Sequence, residues 1–196
     1  MSSASDEELA EQLNALGDEH RDAFGAAMQW LVEHPDRSRP ALLKRITGNG
    51  EDMGTRRAFD VLGRIGNPDD VAALDTRLTA ARGTLAADAA HGLALHPSAR
   101  AREALVRATG SDSVDVAAAT VSALGERGDA ETRPAIEKLL DHTDPRIRYR
   151  AVLALIDLGT PPSRATLHRR YEVEGDAEVK RAIEEAMRIP STPARH

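Results

Sequence analysis

One apolar position returns at a nearly fixed interval along this 196-residue chain: Leu31, Leu62, Leu93, Leu124, Leu155 and Met187 are separated by 31, 31, 31, 31 and 32 residues. A unit of that length holds two short helices and a turn but no self-sufficient core, so neighbouring units must stack. Four positions before each stand Ala27, Ala58, Ala89, Thr120, Ala151 and Ile183, and eight before stand Ala23, Gly54, Leu85, Val116, Ile147 and Val179. Steps of four stay on one face of an α-helix. Each unit therefore carries an amphipathic helix, generally with a small residue at its middle, where another helix approaches closely.

Four positions after the leucines come Pro35, Gly66, Pro97, Gly128 and Gly159, which are helix stops. A second series, Leu43, Leu74, Leu105, Ile136 and Leu167, marks another helix in the first half of each unit. Asn67-Pro68, Asp144-Pro145 and Thr160-Pro161 place a capping side chain before a proline at the first helical position, and Ser5 with Glu8 has capping-box spacing. The pattern predicts twelve helices, near 5–16, 19–33, 38–47, 52–65, 68–81, 84–95, 98–109, 113–127, 130–141, 145–158, 161–173 and 176–189.

The string Asp144-Pro145-Arg146-Ile147-Arg148, followed by Ala151, Ala154, Leu155 and Gly159, resembles the short HEAT-like repeat of phycobilisome lyase-type proteins. The resemblance covers nearly the whole chain and is clearest from about residue 50 to 189. It implies an all-α, right-handed α-solenoid of about six two-helix repeats, near 5–35, 36–66, 67–97, 98–128, 129–159 and 160–189, forming one domain with a flexible tail over 190–196. Tetratricopeptide and ankyrin repeats have similar periods, but their sequence signatures are missing.

Composition narrows the function. There is no Cys, which removes thiol nucleophiles, disulfides and thiolate metal sites. A net charge of -6 with both signs interspersed opposes the positive field that drives non-specific nucleic-acid binding. The acidic start of the chain has no apolar signal core, and no uncharged stretch approaches the roughly 18 residues of a membrane span. A cytoplasmic protein is expected. The excess of Arg over Lys, 23 to 3, and the abundance of Ala suggest a GC-rich bacterial genome. Aromatic content of 3% fits a thin core of Ala and Leu.

Catalytic motifs are missing: there is no His-Glu-x-x-His, Gly-x-Ser-x-Gly, phosphate loop or EF-hand loop. Gly48-Asn49-Gly50 with Gly54 follows a helix and carries Glu51 and Asp52, so it reads as an inter-helix turn. The seven His residues form no i, i+4 ligand pair. Deoxyhypusine hydroxylases share this kind of architecture but hold a di-iron site with His-Glu dipeptides, which this chain lacks; HEAT-like DNA glycosylases need a basic, aromatic groove, and Trp30 is the only Trp. Neither a cofactor nor a metal site is expected. Resemblance to phycobilin lyases at the level of the repeat leaves a lyase-like or chaperone-like subunit as the alternative to a non-catalytic scaffold.

In such solenoids the second helices of successive repeats line the concave wall. With Ile147, Ala151 and Leu155 inward, Tyr149, Leu153 and Ile156 face out, and a helix apolar on both sides is doubly buried or part of an interface. Equivalent outward positions include Arg56, Asp60 and Gly63, then Ala87, His91 and Ala94, then Ala118, Ser122 and Gly125, then Arg181, Glu185 and Arg188. The expectation is a small-residue floor from Ala87 through Gly125 beside an apolar ridge. The ridge would anchor another protein or peptide, such as an amphipathic helix with an acidic flank steered by Arg56, Arg181 and Arg188. Asp60, His91 and Ser122 would line the same wall. A tightly curved solenoid would instead bury Tyr149 and Leu153 between repeats, which the pattern leaves open. Self-association is also open, a membrane partner is excluded, and nucleic acid is disfavoured. Arg148 and Lys180 read as structural, bonding inter-repeat loops or neighbouring carboxylates.

Overall fold

In a computed structural model, residues 2–48, 50–158 and 164–188 are described. They form helices and turns with no strand among them. The helices are α1 (Ser2–Ala15), α2 (Arg21–Glu33), α3 (Pro35–Thr47), α4 (Met53–Ile65), α5 (Val71–Ala80), α6 (Gly83–Leu95), α7 (Ala99–Ala108), α8 (Val114–Arg127), α9 (Arg133–Lys138), α10 (Pro145–Asp157), α11 (Arg164–Val173) and α12 (Ala177–Arg188). They pair as six two-helix repeats of an α-solenoid. The chain divides into two compact units, 1–104 and 105–196, with the boundary inside α7. In the first unit α4 packs on α2 and α6; in the second α10 packs on α8 and α12.

The 31-residue register fixes what is buried. Leu31, Leu62, Leu93, Leu124 and Leu155 are all 0% exposed, and so are Ala27, Ala58, Ala89, Thr120, Ala151 and Ile183. Of the first-helix series, Leu74, Leu105, Ile136 and Leu167 are buried. Two positions depart. Met187 is half-buried, while Ala186, which lies at the undisturbed interval of 31 from Leu155, is buried. In α3, Leu42 and Ile46 are buried and Leu43 is not. That helix starts early, at Pro35, and runs through Pro40, so its inward face is shifted by one residue.

Asp144 caps α10 as expected, and Asp52 and Asp176 cap α4 and α12 in the same way. Asp52 Oδ1 accepts Thr55 N–H at 3.0 Å, Asp144 Oδ1 accepts Arg146 N–H at 2.8 Å, and Asp176 Oδ1 accepts Glu178 N–H at 2.9 Å. Gly66 and Gly128 end α4 and α8 in the left-handed region, with φ of 68° and 70°. Gly48 and Gly50 to Asp52 lie between α3 and α4, and Asn49 lies outside the described residues. Helix α1 already runs from Ser2, so Ser5 lies inside it and not at its cap. Asn67 and Asp129 open short 3-10 turns, Pro68–Asp70 and Ala130–Thr132, before the α-helix begins. Gly159, Thr160-Pro161 and the tail over 190–196 lie outside the described residues.

Candidate binding surface

Three consecutive second helices frame the surface in the second unit. On α10, Ile147, Ala151 and Leu155 are 0% exposed, and Tyr149, Leu153 and Ile156 lie on the other side, each half-buried. The ridge thus contributes to the packing and still presents apolar area to the outside. Ser122 is half-buried on α8 and donates its hydroxyl hydrogen back to Ala118 O at 3.2 Å. Arg181 and Arg188 are exposed on α12, the latter with Glu184 at 4.0 Å. Because α10 packs on both α8 and α12, these six residues belong to adjacent helices of one unit.

Arg56, Asp60 and His91 belong to the first unit. Arg56 on α4 donates through Nη2 to Asp88 Oδ1 at 3.3 Å and through Nε to Asp88 Oδ2, and the hydrogen bonds of that pair hold the guanidinium pKa above its ordinary value. Asp60 is paired with Arg64 one turn along the same helix. His91 is half-buried on α6.

The small-residue floor needs correction. Gly63 and Gly125, expected to face outward, are buried in helix–helix seams. A Cβ on Gly63 would come within 2.2 Å of Gly92 O, and one on Gly125 within 2.8 Å of Ala154 Cα. Glycine occupies these positions because two backbones touch there, which leaves no room for a ligand. Ala118 and Ser122 remain as the small residues beside the ridge, both half-buried.

Arg148 holds the base of α10 in place. It is 8% exposed and donates Nε and Nη2 to Glu174 at 2.8 and 2.6 Å, and Nη1 to His142 O and Thr143 O, both at 2.8 Å. One guanidinium therefore joins the α9–α10 turn to the α11–α12 turn. Arg170 Nε adds a third bond to Glu174 at 3.0 Å. Burial pushes the Glu174 carboxyl up, but the hydrogen bonds from Arg148, the Asp176 N–H and Arg170 outweigh it and lower it to about 2. Lys180 instead lies over the Tyr171 ring, 5.2 Å from its centroid.

Sequence reasoning missed a repeated acceptor two residues before the helix cap. Ser111 Oγ, His142 Nδ1 and Glu174 Oε1 accept the N–H of Ser113, Asp144 and Asp176 at 3.2, 3.0 and 2.9 Å. Their spacings of 31 and 32 residues were the available signal.

A protein-family model described as HEAT repeats matches residues 102–188. Residues 102–188 are HEAT-like repeats. Upstream of the match, Leu31, Leu62 and Leu93 continue the same HEAT-like register. No curated protein sequence matches the chain. Solved structures with a similar course include the complex of CpcE and CpcF of phycocyanin lyase from Nostoc sp. PCC7120, at 21% identity, covering 91% of this chain and 75% of that one, with a TM-score of 0.49. An engineered protein is 19% identical over 92% of this chain and 95% of its own, with a TM-score of 0.47. A designed armadillo repeat protein is 15% identical over 91% and 98%, with a TM-score of 0.48. Among the described residues no helix is long and apolar enough to cross a membrane.

Proposed function

We propose that these HEAT-like repeats serve as a non-catalytic scaffold that binds another protein or peptide, with Tyr149, Leu153 and Ile156 as the apolar anchors. The observation that carries the reading is the part-buried ridge on α10, three apolar side chains on the side opposite the fully buried stripe. Tyr is among the side chains that contribute most binding energy at the centre of a patch, apolar neighbours around it exclude water, and charged residues belong at the rim. Arg181 and Arg188 on α12 supply that rim and favour a partner helix with an acidic flank. A scaffold also fits the use made of buried charge: Asp70, Arg148 and Glu174 are committed to pairs between repeats.

The test is capture with wild type, Tyr149→Glu and Val173→Glu side by side, with helicity checked by circular dichroism. Val173 is 68% exposed on α11 and serves as the surface control. Loss of a buried aromatic anchor weakens binding by about 2 kcal/mol or more, roughly thirtyfold in Kd. The partner should therefore be lost with Tyr149→Glu alone, at unchanged helicity. Capture of the same proteins by all three, or unfolding of Tyr149→Glu, would remove the ridge as the binding site.

A further inference from the structure

The second unit holds a cavity of about 750 Å³ whose lining includes none of the ridge residues. It lies where the α7–α8 turn, the end of α9 and the start of α10 come together. Val106, Val114, Leu139 and Ile147 give it an apolar floor, and Ile147 is fully buried. Asp112 and Lys138 line it from exposed positions.

Hydrogen-bonding capacity around this space is unevenly spent. Thr109 Oγ1 donates to Val106 O at 2.8 Å, and the Asp144 carboxylate is held by Arg146 at 3.0 Å. Lys138 and Asp112 have no partner among the described residues. His142 Nδ1 accepts the Asp144 N–H at 3.0 Å, which requires that nitrogen to be unprotonated. A neutral imidazole then carries its proton on Nε2 and presents a donor. Ser111 Oγ accepts the Ser113 N–H at 3.2 Å, leaving its own O–H to donate. Three donors and one carboxylate are thus unspent above an apolar floor.

We propose that this cavity binds a peptide segment in which an aliphatic side chain sits next to a carboxylate. The aliphatic group lies on Val106, Val114 and Leu139. The carboxylate takes the Lys138 ammonium and the His142 Nε2–H, and a peptide N–H is left for Asp112. The volume falls within the range of about 300–1,000 Å³ typical of ligand pockets and accommodates a segment of two or three residues. The site is separate from the ridge and does not depend on it.

The probe is N-acetyl-Leu-Glu-Leu-amide, titrated into the 15N-labelled full chain and followed by amide chemical shifts, beside its Glu→Gln counterpart and free isovalerate. Saturable shifts confined to residues 106–114 and 135–147 are expected, with the Glu peptide about tenfold tighter than the Gln peptide, as a charge-assisted hydrogen bond supplies. Lys138→Glu should erase that preference and leave the rest of the spectrum unchanged. Tyr149→Glu should not alter the titration, so this proposal and the ridge reading fail separately. Absence of saturable shifts, shifts centred on 149–156, or equal affinity for the two peptides would overturn the proposal. So would isovalerate binding as tightly as the Glu peptide, which would mark a small-acid site.

Discussion

Glu174 offers a stability measurement whose size and pH dependence both follow from geometry. Its side chain is 0% exposed and accepts bonds from Arg148, Arg170 and the Asp176 N–H. Net stabilisation of the ionised form brings its carboxyl from 4.5 to about 2. A depressed folded pKa adds stability that is fully present above the unfolded value and is lost as pH falls through the folded one. The difference of about 2.5 units, at roughly 1.4 kcal/mol each, comes to about 3 kcal/mol. Glu174→Gln, nearly isosteric, leaves the Arg148 guanidinium buried without its counter-charge, a loss of similar size. At pH 7 the variant should melt roughly 6–12 °C below wild type. Measured by circular dichroism from pH 7 to pH 2, the gap should stay constant down to about pH 4.5 and close over the next two to three units. Other acid-sensitive groups, such as Asp52, which Arg45 holds well below the usual carboxylate range, are common to both proteins and cancel in the comparison. Equal melting temperatures at pH 7, or a gap undiminished at pH 2, would refute the assignment of Glu174 as the ionised centre of an inter-repeat lock.

The core register makes further predictions. Leu124→Ala removes a fully buried side chain from the second unit and should cost about 2–5 kcal/mol, read as a lowered denaturation midpoint. Gly63→Ala drives a Cβ into the backbone of α6 and should cost about 1–3 kcal/mol, whereas Gly25→Ala, with nothing within 4 Å of the added Cβ, should gain about 0.5–1 kcal/mol from helix propensity. Parallel urea titrations of the two glycine variants would show the opposite signs.

The sequence made the fold legible because burial in a repeat protein is periodic. A leucine every 31 residues with an alanine one turn before it determines both the helix and its inward face, and every described repeat obeyed that rule to within a residue. The reading faltered where a local effect competes with the period. Pro35 and Pro40 lie within α3 and shift its face, and in the last repeat the buried position keeps the interval of 31 and falls on Ala186, not on Met187, which reading one extra residue had selected. At the surface, Gly63 and Gly125 read as outward positions, Gly125 as the edge of a floor, because a glycine in a helical pattern does not reveal whether its missing side chain makes room for solvent or for another backbone. Arg148 was recognisable as structural, but its partner Glu174 lies 26 residues away in a turn, where helical spacing carries no information. The cavity edged by Lys138 and His142 is assembled from two turns and four helices across residues 106–147, and no single helical period contains it.

The claim that α10 turns Tyr149, Leu153 and Ile156 away from the repeat stack can be measured directly, because the native chain has no cysteine. Single substitutions Leu153→Cys and Leu155→Cys, treated with a thiol reagent under native conditions, compare the part-buried ridge with the fully buried stripe two residues along. Rapid modification at 153, with modification at 155 only as fast as the protein unfolds, is the predicted result. Equal protection at both positions would place the ridge in the core and contradict the binding face.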